Sequence, residues 1–95
     1  MRYGDDIAWL VCLSYFDGAC AYCGTTNKKL TVDHLVARSK GGTDDVSNLV
    51  PCCEKCNHDK GDSDWRDWMM SQPNFSQERM DKVFGWRRVA RQSGV

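Results

Sequence analysis

Residues 20–60 read CAYCGTTNKKLTVDHLVARSKGGTDDVSNLVPCCEKCNHDK, and this stretch decides the fold. It opens on one C-x-x-C pair, Cys20 and Cys23, and closes on another, Cys53 and Cys56. Two residues between thiolates let both sulfurs face one ion, and Gly24 relieves the tight turn that follows. Cys52 offers a neighbouring thiolate, but it leaves three residues before Cys56, so Cys53 is the better ligand. Four thiolates imply a tetrahedral Zn²⁺ site that staples the chain.

A disulfide scaffold is the competing explanation for six cysteines in a short chain. Asp5 and Asp6 precede only a brief apolar run, Ile7 to Leu13, which does not read as a secretory leader. No segment is long enough to span a bilayer. The expectation is therefore a reducing, cytoplasmic setting with no membrane association, in which paired C-x-x-C motifs bind metal.

Twenty-nine residues separate Cys23 from Cys53, more than a zinc ribbon needs, so a folded insertion is expected. Leu30 to Val32 suit a strand, Arg38 to Gly42 a basic, glycine-rich loop, and Asn48 to Val50 a short returning strand that Pro51 breaks. Residues 54–60 then make a helix that stops at Gly61.

Taken in order, Asp33-His34, Ser39-Lys40-Gly41-Gly42, Asn48-Leu49-Val50, Cys53-Glu54-Lys55-Cys56-Asn57 and Lys60-Gly61 resemble the HNH endonuclease pattern. The form resembled is the zinc-stapled ββα-metal one. Two positions depart from it. Asn57 stands where histidine often follows the last cysteine, as in HNN-type variants, and Ala37 stands where proline is common. The resemblance implies an α+β fold with a core over 20–61 and helical extensions over 5–17 and 62–91. It also implies a metal-dependent endonuclease that cuts DNA to leave a 5′-phosphate and a 3′-hydroxyl.

The residues suit that chemistry. Asp33 and the amide oxygen of Asn57 are hard donors for Mg²⁺ or a similar divalent ion such as Mn²⁺. A histidine of ordinary pKa is largely neutral near pH 7, which fits His34 to take a proton from the attacking water. Neighbouring strand residues point to opposite faces, so Asp33 and His34 cannot both aim inward from a regular strand. Asn48 reads as an amide that bonds across the hairpin and steadies the loop presenting His34. His58 is either an exposed helix residue or a substitute metal ligand. Arg38, Lys40 and Lys60 are candidate phosphate contacts, with Arg38 to Gly42 the best segment.

The rest of the chain reads as support. Thirteen basic residues balance thirteen acidic ones, and closing a tetrathiolate zinc site takes the balance to about −2, so any case for nucleic acid rests on where the charges lie. A chain of 95 residues fits one domain, small enough to gain from a metal staple. Asp5 or Asp6 can cap a first helix bearing Ile7, Leu10 and Val11, with Cys12 a small buried residue. Asp62 or Ser63 can cap a second helix bearing Trp65, Trp68, Met69 and Met70. A last helix, capped near Asn74, turns Met80, Val83, Phe84, Val89 and Ala90 inward. Its Arg79, Lys82, Arg87, Arg88 and Arg91 either track DNA or form a charged exterior. The alternative to a nuclease is a non-catalytic zinc-ribbon module for nucleic acid or a protein partner. A homodimer, or a larger phage or bacterial assembly, fits either reading.

Overall fold

The computed structural model describes the backbone of residues 6–93 and the side chains of residues 7–91. Its order is α1 (Asp6–Tyr15), β1 (Leu30–His34), β2 (Leu49–Cys53), α2 (Glu54–Lys60), α3 (Trp65–Met70) and α4 (Gln77–Ser93), with short 3-10 turns at Arg38–Lys40 and Val46–Asn48. The two strands pair antiparallel, from Leu30 opposite Cys53 to His34 opposite Leu49. Sheet, knuckle and helices share one apolar core, an α+β arrangement with four cysteines gathered at one side of the hairpin.

Pro51 does not break β2, which runs on to Cys53. Proline lacks only an N–H, and in this two-stranded sheet the outer edge of β2 needs none at that position. The Pro51 carbonyl instead accepts the amide of Ala21 at 2.9 Å, which docks the first knuckle against β2. The helix that follows starts at Glu54 and stops at Gly61, as the sequence leads one to expect.

Two helices turn differently from the reading of their apolar residues. On α1 the buried residues are Ala8 and Cys12, followed by Phe16 just past its end, whereas Ile7, Leu10 and Val11 lie outward at 73%, 62% and 39% exposure. The stripe facing the core follows i, i+4, i+8, and the bulky aliphatics fall beside it. On α4 the buried set is Met80, Val83, Trp86 and Ala90, while Phe84 and Val89 are each 42% exposed. Trp86 fixes the rotation of α4, because its indole N–H reaches the carbonyls of Leu49 at 3.0 Å and Val46 at 3.3 Å.

The caps also differ. Asp64, rather than Asp62 or Ser63, accepts the amides of Arg66 and Asp67 at the start of α3. Ser76, rather than Asn74, accepts from Arg79 at the start of α4. The start of α1 is Asp6, and Asp5 lies outside the described residues. Among the described residues, no helix is long and apolar enough to cross a membrane.

Candidate metal centre and catalytic site

The Sγ atoms of Cys20, Cys23, Cys53 and Cys56 all lie within 4.8 Å of one another. A tetrahedron with metal–sulfur bonds of about 2.3 Å places its sulfurs roughly 3.8 Å apart. Cys23 and Cys53 stand at 3.8 Å, so the set fits a metal ion and is compatible with zinc. None of the six cysteines is joined in a disulfide. Cys12 and Cys52 are buried outside the cluster.

The thiols are unequal. A hydrogen bond from Cys52, with help from nearby backbone amides, holds Cys20 down to about 4. Burial pushes Cys56 and Cys23 up, and the negative charge at Cys20 adds to the rise. Four thiolates cannot share so small a volume without a cation between them, which is why the arrangement has the character of a metal site.

Strand β1 carries the acid and the base at adjacent positions, burying Asp33 and leaving His34 half-exposed. Asp33 is 6% exposed. Its Oδ2 accepts the Tyr22 hydroxyl at 2.5 Å and faces the Lys60 ammonium at 3.2 Å. Both contacts fall on Oδ2, which leaves Oδ1 as the oxygen that a divalent ion can take.

Lys60 itself is buried, with its ammonium also donating to the His34 carbonyl at 3.0 Å. The expectation that Lys60 meets a phosphate is therefore corrected. Its long stem crosses the core and its charge is committed to Asp33, so it fastens the end of α2 to β1. Asn57 is half-buried one turn earlier on α2, and its side-chain amide makes no hydrogen bond among the described residues. His58 is exposed and lies outside the sulfur cluster.

His34 is half-exposed, and its Nε2 lies 2.8 Å from Asp44 Oδ1. Arg38 grips the same carboxylate through both Nε and Nη2. That grip, reinforced by His34, holds the Asp44 carboxyl down to about 2. An ionised carboxylate can only accept, so Nε2 donates to it, and in the neutral imidazole the lone pair then falls on Nδ1. Asp44 thus selects the tautomer of His34.

Sequence reading gave Asp44 no role in the site. No spacing signal pairs residues ten apart across a loop. Arg38, expected to meet phosphate, spends its fork on Asp44 yet remains 67% exposed at its side chain.

The loop between His34 and β2 is built to hold this geometry. The Asn48 amide donates to the carbonyls of Val36 at 3.0 Å and Thr43 at 2.9 Å, and its oxygen accepts the Val36 amide at 2.9 Å. Gly42 packs so closely on the Val36 carbonyl that any side chain there would overlap it. Asn48 and Gly42 together clamp the loop, bringing Asp44 back to His34.

Comparison with known proteins agrees with this architecture. The family model for HNH endonucleases matches residues 20–63. The chain is 33% identical over 98 residues to the SPbeta prophage-derived protein YoqL of Bacillus subtilis (strain 168), named for an HNH endonuclease, in an alignment covering 85% of this chain and 40% of YoqL. It is 35% identical over 89 residues to the CRISPR-associated endonuclease Cas9 of Actinomyces naeslundii, covering 87% of this chain and 8% of that protein. It is also 40% identical over 52 residues to the Cas9 of Corynebacterium diphtheriae, covering 52% of this chain and 5% of that protein. The chain thus spans two fifths or less of each of these relatives. With paired cysteine knuckles enclosing the Asp33-His34 hairpin, residues 20–63 form an HNH endonuclease domain.

Proposed function

We propose that the chain is a zinc-stapled, divalent-metal-dependent endonuclease that hydrolyses phosphodiester bonds of DNA. The observation that carries this reading is His34: a solvent-accessible imidazole whose Nε2 is fixed by Asp44 at 2.8 Å, on a hairpin anchored between two cysteine knuckles. A binding module has no use for an imidazole held in one tautomer.

In this mechanism Nδ1 of His34 takes the proton from the attacking water, and Asp44 stabilises the imidazolium that results. Asp33, through Oδ1, and Asn57, through its amide oxygen, would hold a Mg²⁺ or Mn²⁺ ion; oxygen donors of this kind suit such ions. The ion would neutralise charge at the phosphorus centre and assist the departing oxygen. Arg38 and Lys40 are exposed beside the loop and can meet a phosphate, Arg38 by shifting its fork from Asp44. Asn48 keeps the loop in register and touches no substrate. A reducing, intracellular setting suits six cysteines with no disulfide among them. One compact site cuts one strand at a time, so double-strand scission would need a second copy or a second visit.

The test is supercoiled plasmid incubated with zinc-loaded protein and Mg²⁺ or Mn²⁺. Wild type yields nicked or linear product, and His34→Ala slows the reaction by roughly 10²–10⁴-fold, the contribution of a general base. Absence of product from wild type defeats the enzymatic reading. Undiminished cleavage by His34→Ala defeats the assignment of the base.

A further inference from the structure

The cations of α4 fall into two groups. Toward its start, Arg79 donates to the carbonyls of Tyr22 at 2.9 Å and Asn74 at 2.6 Å, and Lys82 pairs with Asp17 at 2.7 Å. Those charges fasten the helix to the knuckle and to the turn after α1. Two turns later Arg87, Arg88 and Arg91 make no ion pair or hydrogen bond through their side chains among the described residues. The Nε of Arg87 is buried and has no acceptor.

That second group also has company of its own sign. Arg66 of α3 and Lys40 of the loop line the same open cleft as Arg87. A second cleft joins Arg87 and Arg91 to Gly41, Gly42 and Thr43 of the loop that holds Asp44. Burial lowers the pKa of the Arg87 guanidinium, and the neighbouring charges of Arg91 and Arg66 lower it further. Of the acids nearby, Asp64 takes Arg66 at 3.4 Å and Asp45 caps the turn at Ser47 while feeling Arg91, and Asp62 lines the first cleft, so the basic groups there outnumber the acids left unengaged.

Like charges four apart on a helix work against it, so helix stability gives no reason for Arg87 and Arg91. A purely solvated face gives no reason for a buried, unmatched Nε. An anion answers both. Arg87 and Arg91 stand about 6 Å apart along the helix axis, a separation that suits a chain of regularly spaced phosphates better than a single ion.

We propose that Arg87 and Arg91 of α4, with Arg66 of α3, form a phosphate-binding ridge that holds nucleic-acid backbone beside the cutting site rather than in it. The idea rests on the nuclease reading for its choice of polyanion. The ridge continues from the loop at Gly41 to Thr43, so a duplex engaged at His34 would pass over α4.

The experiment measures binding of the zinc-loaded chain to a fluorescent DNA duplex, without divalent ion, across a series of KCl concentrations. Arg87→Gln/Arg91→Gln should weaken binding about tenfold or more near 0.1 M salt and lower the slope of log K against log salt by about 1.8, since each phosphate contact contributes about 0.9. Lys28→Gln/Lys29→Gln, which removes the same charge from exposed positions before β1, should leave that slope unchanged. The single Arg91→Gln variant, at an exposed position, should lower the slope by about 0.9 and guards against misfolding of the double variant.

An unchanged slope, or an equal fall in the lysine control, overturns the ridge. So does polyglutamate competing as well as DNA of equal charge, because the occupant would then be an acidic protein. Plasmid cleavage is scored separately. Binding lost in the arginine variants of a chain that cuts nothing supports the ridge and sinks the nuclease, whereas intact KM and kcat in those variants sinks the ridge alone.

Discussion

Lys60 is the residue whose replacement should matter most to folding. Its side chain is fully buried and its ammonium lies 3.2 Å from Asp33, itself 7% exposed at the side chain. Lys60→Met keeps most of the apolar stem and removes the charge, which among the described residues leaves a buried carboxylate with only the Tyr22 hydroxyl for company. Breaking a buried pair from one side costs about 3–5 kcal/mol, because the remaining charge keeps its desolvation penalty.

A domain of this size has a total stability of roughly 5–15 kcal/mol, so the change removes a large part of it. At about 4–8 °C per kcal/mol, a loss of 4 kcal/mol lowers Tm by roughly 15–30 °C. The assay is urea unfolding of zinc-saturated protein followed by tryptophan fluorescence, with Trp65 and Trp86 buried as reporters. Zinc content is measured alongside, so that loss of metal is not mistaken for loss of the pair.

The second half of the test is a double-mutant cycle. Asp33→Leu with Lys60→Met removes both charges, and the double variant should recover most of the stability lost by Lys60→Met alone. If Lys60→Met lies within about 1 kcal/mol of wild type, or if the cycle shows no coupling, the buried pair is not what holds α2 to β1.

Two further outcomes follow from the site. Asp44→Asn keeps the size of the side chain but can donate to His34 as well as accept, so the Nε2–H tautomer is no longer imposed; cleavage should fall about 10–100-fold by analogy with other outer partners of functional histidines, with KM little changed and Asp44→Glu restoring part of the rate. Equal loss in the Glu and Asn variants would count against an orienting role. Asp44 is held low, to about 2, by Arg38 and His34, so its part in the pair is fully present above the ordinary carboxylate range and is lost only as pH falls toward 2; the Asp44–His34 contact thus persists throughout the range in which cleavage is measured. At the sulfur site, Cys23 and Cys56 are raised and carry protons at neutral pH before metal enters. Zinc must displace them, so log affinity measured against a chromophoric chelator should rise with pH with a slope of at least two, and stripping the metal should unfold the hairpin. A slope near zero would mean that the thiols are not the ligands.

The cysteine knuckles, the inserted hairpin, the α2 boundaries at Glu54 and Gly61 and the family itself were legible in the chain. Each rests on local rules: a two-residue spacing sets where thiolates point, and a glycine past the last helical turn ends the helix. Ordered short motifs carried the rest of that recognition.

Four features were decided only by tertiary structure: the outward turn of Ile7 and Leu10, the burial of Lys60, the pairing of Asp44 with His34 and the continuation of β2 through Pro51. Periodicity says that a helix has an apolar stripe, but the neighbour that covers it chooses which side is buried. A lysine reads as surface until a carboxylate from another element waits at the end of its stem. The imidazole took its tautomer from an acid brought back by a clamped loop, and such a contact exists only once Asn48 and Gly42 have closed that loop.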